Sequence, residues 1–227
     1  MSATILSDAI ASDTVSKCEF NFGIAGLDNP ALLSDFYPDD LPEDWRFSYY
    51  SNEFHLLLIS LSDLGLANMN ARAVTAAQAL EGLEQLADDI ADADGTDTGF
   101  ICALNLSDLT ETMQQEMLVQ WGTSNALPIN CINLTQRFSV TQAETFACSF
   151  TPIQEAGVGF EANAKNKTCF AIVEAANVLE PKALRHLLET IQAYTITENY
   201  HTMNIIFSTS QQALTNCRNA QLLASLM

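Results

Sequence analysis

Basic residues are scarce in this sequence. It contains 9 Lys and Arg against 28 Asp and Glu in 227 residues, a formal net charge of -19 at pH 7, and its isoelectric point is near 4.1. Nucleic-acid binding depends on clustered Lys and Arg that displace counterions from phosphates, so a nucleic-acid partner is not expected. The acidity leaves two interpretations open: a solvated, self-repelling surface, or a docking face for a protein partner with a basic surface.

The sequence also lacks paired cysteines and long apolar runs. No two of its six cysteines form a C-x-x-C pair, and most stand within apolar, strand-like runs, which is typical of buried reduced thiols. No window approaches the roughly 20 apolar residues of a membrane-spanning helix. The first 17 residues have no basic start followed by an apolar stretch, as a signal peptide would have. We therefore expect a cytoplasmic protein without membrane contact.

Familiar cofactor and metal motifs are missing as well. The G-x-G-x-x-G turn of dinucleotide-binding folds is absent, and no His, Cys and Asp cluster has zinc spacing. The stretch DADGTD, residues 92–97, lacks the acids that an EF-hand loop requires at its first and last positions. None of the three histidines, His55, His186 and His201, stands where a barrel enzyme places its base. We expect no cofactor, with a divalent metal as the alternative.

Apolar strand-like runs alternate with amphipathic helical segments along the chain. The strand candidates are residues 19–27, 55–61, 99–106, 128–134, 144–150, 168–177 and 203–209, and the clearest helix is residues 70–93. This alternation predicts a parallel sheet covered by helices. Seven candidates are one short of a β/α barrel, and the stretch 128–167 is ambiguous. We predict a TIM-type (β/α) barrel with an irregular or incomplete middle section, forming a single domain, 18–227, after an N-terminal extension, 1–17, that we expect to be mobile.

Both ends of the chain carry motifs of one family. FGIAGLD (22–28), DFYPDDLP (35–42) and YYSNEF (49–54) resemble, in order and spacing, the start of the YecE-like family, a group of uncharacterised TIM barrels (domain-of-unknown-function family seventy-two). Residues 204–226 resemble its last strand and helix, with matching positions at Phe207, Ala213, Asn219, Ala220 and Leu222. Between residues 62 and 167 there is no specific match. The resemblance implies the barrel fold but no particular reaction, because the family's activity is unsettled.

The sequence departs from the family pattern at the strand ends. LLLISLSDL (56–64) replaces a V-E-I-N-S-x-F-Y type strand, and Asn105 replaces a Lys. AIVEAAN (171–177) replaces an R-x-H-G type strand, and FSTS (207–210) replaces an F-N-N type ending. Barrel enzymes keep their chemistry at the carboxyl ends of the strands. The resemblance therefore implies a degenerate active site and a non-catalytic interaction or regulatory protein.

A barrel would still place polar residues at its mouth. Glu174 ends an apolar strand, so we expect a desolvated carboxylate there, a candidate general acid, general base or metal ligand together with Asp28 or Asp63. Asn105, Asn177 and Ser208 are candidate binding residues at the mouth. The alternative function is thus a metal-assisted hydrolase, or a small-molecule-binding protein, acting at the barrel mouth.

The segment FYPDDLPEDWRFSYYSNEF, residues 36–54, contains two aromatic clusters, two prolines and a run of acids. We interpret it as a packing segment in which the rings of Phe36, Tyr37, Trp45, Phe47 and Tyr50 fill space. Its acids are either a solvated turn or an attachment point for a basic partner; they are Asp39, Asp40, Glu43 and Asp44.

Overall fold

The computed structural model describes residues 18–60, 63–64, 75–93, 99–106, 109–112, 114–116, 129–132, 138–142, 147–152, 168–198, 200–208 and 210–227. The predicted N-terminal extension, residues 1–17, lies outside this part of the chain, as does most of the DADGTD stretch. None of the helices described is both long enough and apolar enough to cross a membrane.

Eight strands and five helices make up the described part of the fold. The strands are β1 (Glu19–Ala25), β2 (Leu56–Ile59), β3 (Ile101–Asn105), β4 (Ile129–Ile132), β5 (Phe138–Gln142), β6 (Ala147–Pro152), β7 (Thr168–Glu174) and β8 (Thr202–Phe207). The helices are α1 (Pro30–Asp35), α2 (Arg46–Ser51), α3 (Ala76–Ala93), α4 (Pro181–Glu198) and α5 (Ala213–Ala224). A single 3₁₀ turn, Glu43–Trp45, precedes α2. Seven strands coincide with the predicted runs; β5 was missed.

Local sequence explains where these helices begin and what they bury. The side chain of Asn29 accepts a hydrogen bond from the backbone N–H of Ala31 at 2.9 Å, and Pro30 takes the first helical position of α1, where its missing N–H costs nothing. In α4 the apolar side chains at helical spacing are all buried: Leu184, Leu187, Leu188 and Ile191. These four side chains form the face of α4 that packs into the core.

The strands form one mixed sheet in the order β4-β3-β2-β1-β8-β7-β6-β5. All neighbours pair in parallel except β6, which is antiparallel to both β5 and β7. Only four residues stand between Gln142 and Ala147, whereas a parallel connection needs a dozen or more. Antiparallel pairing of β5 with β6 follows, so the all-parallel prediction is wrong here. The fold is mixed α/β with a mostly parallel sheet.

The two faces of the sheet carry separate apolar cores. The helices pack on the outer face, against residues such as Phe22 and Ile24 of β1. The inner face holds a smaller core of strand residues alone: Leu56, Leu58, Ala103, Phe170, Ile172 and Ile206, with Ala25 and Ile101 beside them. Successive strand residues alternate between these faces, so every second side chain of a strand points to the inner face.

The sheet is curved. Cα atoms of β2 and β8 come within 8 Å of each other, although β1 lies between these strands. In a flat sheet, two strand spacings would keep them roughly 10 Å apart. Strands β4 and β5 are the two edges of the sheet, and no pairing joins them among the described residues. The closed ring of a TIM barrel is therefore not confirmed.

Candidate functional site

Most of the predicted mouth residues share one edge of the sheet. The carboxyl ends of β1, β2, β3, β7 and β8 meet there because these strands are parallel. Inner and outer positions alternate along a strand. Asn105, Glu174 and Ser208 therefore occupy the next inner positions after the inner-core residues of β3, β7 and β8. The loops after β1 and β2 bring Asp28 and Asp63 to the same edge. Each of these residues, however, has different surroundings.

Asp63 ties two loops together. Its Oδ1 accepts a hydrogen bond from the backbone N–H of Leu27 at 2.7 Å. Its Oδ2 accepts one from the backbone N–H of Ser60 at 2.8 Å and one from the Ser60 hydroxyl at 2.9 Å. The turn beside it needs Gly26, whose φ of +79° lies in the left-handed region that glycine adopts freely. The candidate catalytic carboxylate thus has structural partners.

Asp28 is paired with a cation. It forms an ion pair with Arg46 at the start of α2, in which the Arg46 side chain is 22% and the Asp28 side chain 48% exposed. Arg46 Nη1 also lies 3.8 Å from Glu43 Oε1, and its guanidinium carbon is 5.9 Å from the centre of the Tyr37 ring. The second candidate carboxylate is therefore already neutralised by the chain itself.

Glu174 is exposed at the end of β7. The expectation of a desolvated carboxylate is wrong, because the buried run stops at Val173 and the next side chain reaches solvent. The backbone N–H of Ser208 donates to the Val173 carbonyl at 2.9 Å, which continues the strand pairing to this edge. Ser208 is half-buried, and Asn105 on β3 is 9% exposed.

Asn177 contributes its backbone rather than its side chain. The Asn177 side chain is exposed, and its carbonyl accepts a hydrogen bond from Nδ2 of Asn216 at 3.0 Å. Oδ1 of Asn216 accepts one from the backbone N–H of Leu179 at 2.8 Å. Asn216 is fully buried on α5, so it holds the loop after β7. Sequence reasoning missed this residue and took its exposed neighbour Asn219 as the family match.

Tyr50 joins the aromatic segment to the sheet. Its hydroxyl accepts a hydrogen bond from the Ile24 backbone N–H at 3.0 Å and donates one to the Leu56 carbonyl at 2.7 Å. The hydroxyl thus bridges β1 and β2 in a place where Gly23 lets the two backbones approach closely: a Cβ on Gly23 would lie 1.9 Å from the Leu56 carbonyl oxygen. Tyr50 is fully buried, and burial raises its pKa well above the ordinary value.

Most of the other rings in residues 36–54 also pack inward. The Phe36 ring lies 5.2 Å from the Tyr49 ring and 5.7 Å from the Phe54 ring, and Phe47 lies 5.1 Å from Phe100. These separations are typical of aromatic pairs in protein cores. The exceptions are Tyr49, which is 38% exposed, and Trp45, which is 62% exposed, so the predicted space-filling role of Trp45 is wrong.

Four exposed carboxylates stand on the same connection as this exposed tryptophan. Asp39, Asp40, Glu43 and Asp44 all stand in solvent, and the Glu43 side chain is 82% exposed. We call these four acids and Trp45 the acidic face. It lies on the connection between α1 and α2, next to the edge of the sheet that carries Asp28 and Asp63.

Thiols and histidines add no reactive centre among the described residues. No group of three His, Cys, Asp or Glu there could hold a metal ion. His55 and His186 are exposed, and His201 is half-buried before β8. Four free cysteines are buried as predicted: Cys102, Cys148, Cys169 and Cys217. Burial raises the pKa of Cys148 to about 12, which keeps that thiol protonated and inert.

A groove of about 520 Å³ lies at the opposite edge of the sheet. Phe20 and Phe22 of β1 and the preceding Cys18 line it, together with Gln192 of α4 and Gln221 of α5. No motif in the sequence pointed to this place, since its lining comes from both ends of the chain and is mostly apolar.

Comparison with models of protein families, with curated proteins and with solved structures finds no match for this chain. The resemblance to the YecE-like family therefore stays a prediction.

Proposed function

We propose that this protein is a non-catalytic interaction or regulatory protein that holds a basic partner on its acidic face. The observation that carries the proposal is the exposure of Trp45, at 62%, among four exposed carboxylates. Tryptophan is enriched among the residues that dominate protein interfaces, and complementary charge steers and orients a partner. The one basic residue of this segment, Arg46, pairs with Asp28 and lies 3.8 Å from Glu43, so it offsets one acid of the acidic face and leaves the charge of the other three.

The proposed scaffold is a degenerate YecE-like barrel. Its strand order is the cyclic order of a barrel, with β8 beside β1 and the break between β4 and β5. Only five residues separate Ile132 from Phe138, so their Cα atoms are at most about 21 Å apart. The edges of a flat sheet of eight strands would be roughly 34 Å apart. The short connection therefore favours a strongly curved sheet that is closed or nearly closed. Because β5 runs in the direction of β4, this link is shorter than the crossover that joins neighbouring parallel strands in a regular β/α barrel, so the ring is irregular at this point.

The alternative, chemistry or small-molecule binding at the mouth, has weaker support. Glu174, Ser208 and Asn105 belong to one edge, as a binding site requires. The other two carboxylates are engaged, Asp28 by Arg46 and Asp63 by Leu27 and Ser60. A metal-assisted hydrolase would need to free at least one of them, so this function stays a prediction without a supporting contact. Location in the cytoplasm likewise stays a prediction.

Fluorescence of Trp45 tests the proposed docking face. The other tryptophan, Trp121, is first replaced by phenylalanine (Trp121→Phe), so that Trp45 is the only tryptophan that emits. A capped ten-residue lysine-rich peptide is then titrated into this variant at low and at physiological salt. Binding should change the Trp45 emission, and added salt should weaken it. In the variant Asp39→Asn/Asp40→Asn, affinity should fall about tenfold, because complementary charges at the interface are lost.

The matched control is Glu81→Gln/Glu84→Gln. These two glutamates are exposed on α3, so this variant changes net charge by the same amount away from the acidic face. It should bind the peptide as the parent protein does. Equal losses in both variants would reduce the interaction to general charge attraction and would contradict a specific docking face.

A further inference from the structure

The hydroxyl of Tyr37 is buried without a hydrogen-bond partner. The residue is 8% exposed, and no donor or acceptor reaches its Oη within the described part of the chain. The ring itself is well packed, 5.2 Å from Phe36 and 6.0 Å from Tyr49. Such orphaned hydroxyls are uncommon because leaving a buried polar group unpaired costs free energy. A native role for this hydroxyl would account for it.

Arg46 connects Tyr37 to Asp28: its guanidinium carbon is 5.9 Å from the centre of the Tyr37 ring, and its Nη1 pairs with Asp28. Asp63 accepts a hydrogen bond from the backbone N–H of Leu27, the residue before Asp28. Burial is the main cause of the raised pKa of Tyr37; Arg46 lowers the pKa, whereas Asp28 and Asp63 raise it. Arg46 lies over the ring rather than bonding to the hydroxyl. Arg46 thus contacts both the Tyr37 ring and Asp28 and leaves the Tyr37 hydroxyl without a partner.

The two carboxylates retain capacity for a further donor. Asp63 accepts three hydrogen bonds, whereas a carboxylate offers about four acceptor positions. The Asp28 side chain is 48% exposed and pairs with a side chain that is itself partly exposed. A guanidinium is a planar fork, but an ammonium is compact and carries three donors. An ammonium that takes the place of the Arg46 guanidinium can pair with Asp28 and still offer donors to further acceptors.

We propose that Asp28, Asp63 and Tyr37 form a binding site for a primary ammonium group, the side chain of a lysine on the basic partner. Arg46 occupies this site in the free protein and is displaced from Asp28 when the lysine enters. The inference rests on the proposed function, since the lysine arrives with the partner that docks on the neighbouring acidic face. Arg46 thus acts as an internal competitor that weakens binding of partners lacking a lysine in the right place.

Removing the competitor tests this site. In the Trp121→Phe background, Arg46→Met should bind a capped oligolysine peptide about fivefold more tightly, the range of one partly exposed ion pair. Arg185→Met is the matched control: Arg185 is also the cation of an exposed ion pair, with Glu189, and its loss changes net charge equally. It should change the affinity less than about twofold. Arg46→Lys, which supplies its own ammonium, should show no gain.

Substitution of the remaining members of the site should cancel the gain in affinity. In the Arg46→Met background, adding Asp28→Asn or Tyr37→Phe should return the affinity toward that of the parent, whereas Glu189→Gln should leave the gain intact. Equal affinities for Arg46→Met and Arg185→Met, or a full gain without the Tyr37 hydroxyl, would overturn the ammonium site. The acidic face would survive that result if Asp39→Asn/Asp40→Asn still lost binding. Urea unfolding midpoints of all variants establish that each is folded, and Arg46→Gln replaces Arg46→Met if the latter is not.

Discussion

Tyr37 and Tyr50 belong to one aromatic segment, but their hydroxyl groups have opposite surroundings. The Tyr50 hydroxyl is bonded to the backbones of both β1 and β2. The Tyr37 hydroxyl is equally hidden from water and has no partner. Loss of a buried hydroxyl therefore has a different effect on stability at the two positions.

We predict that Tyr50→Phe lowers the free energy of unfolding by about 2–4 kcal/mol, because a buried N–H and a buried carbonyl lose their partner together. The same change at Tyr37 should be neutral or stabilise the fold by up to about 1 kcal/mol, since it removes an unpaired buried group. Urea unfolding followed by circular dichroism measures both. Similar losses at the two positions would contradict the hydrogen-bond assignment.

At the scale of single residues, the sequence predicts burial better than bonding. Apolar and aromatic character marked Phe36, Phe47 and Tyr50 as packing residues. It could not show that the Tyr50 hydroxyl would bridge two strands, or that Asn216 would be buried, because both depend on chain segments far away in sequence. Glu174 was misjudged for a related reason: an apolar run predicts a buried strand but not the depth at which the strand ends.

Among the elements, the close contact between β1 and β2 requires a glycine. Gly23 pairs with Leu56, and a Cβ at this position would meet the Leu56 carbonyl oxygen at 1.9 Å and its carbon at 2.6 Å. Backbone atoms cannot move aside as a flexible side chain can. The first glycine of FGIAGLD is thus required for close approach, and the second for the left-handed turn.

We predict that Gly23→Ala destabilises the protein by about 4 kcal/mol or more, the range of the severest single substitutions, because β1 and β2 must separate. Gly82→Ala on α3 is the comparison. There the new Cβ would lie 3.1 Å from the Leu64 Cβ, and the gain in helix propensity of about 1 kcal/mol offsets the crowding. Denaturant melts of the two variants should differ clearly; a mild effect at Gly23 would contradict the close approach.

The elements that the sequence predicts well are those with long apolar patterns. The helical spacing of α3 and α4 and the apolar runs of β1, β2, β3, β7 and β8 are recognisable without the structure. β5 was missed because FSVTQ is short and half polar. The antiparallel direction of β6 follows from connection length, which becomes informative only when the strand bounds on both sides are known.

On the scale of the whole molecule, the account predicts a ring rather than an open sheet. Spin-labelled amino acids incorporated at Asn130 of β4 and Val140 of β5 leave the native cysteines untouched. Pulsed electron paramagnetic resonance should give a backbone separation of roughly 20 Å or less, because strands that face each other across a closed or nearly closed gap are only a few strand spacings apart. A separation of roughly 30 Å or more would indicate an open, nearly flat sheet.

Charge is the other property of the whole molecule. A formal net charge of -19 repels other acidic surfaces and attracts basic ones over the range that salt permits. Composition alone predicts this attraction but not its place. We propose that the place is the acidic face, because Trp45 and its neighbouring acids are exposed together while the adjacent Arg46 is engaged with Asp28.

Native mass spectrometry of the protein isolated gently from its own cells tests the central claim most directly. The account predicts a species heavier than the bare 24.8 kDa chain, with the added mass of a basic protein. That mass should disappear in Asp39→Asn/Asp40→Asn and persist in Glu81→Gln/Glu84→Gln. A bare chain, an adduct no larger than a metal or small molecule, or a partner retained by the acidic-face variant would contradict it.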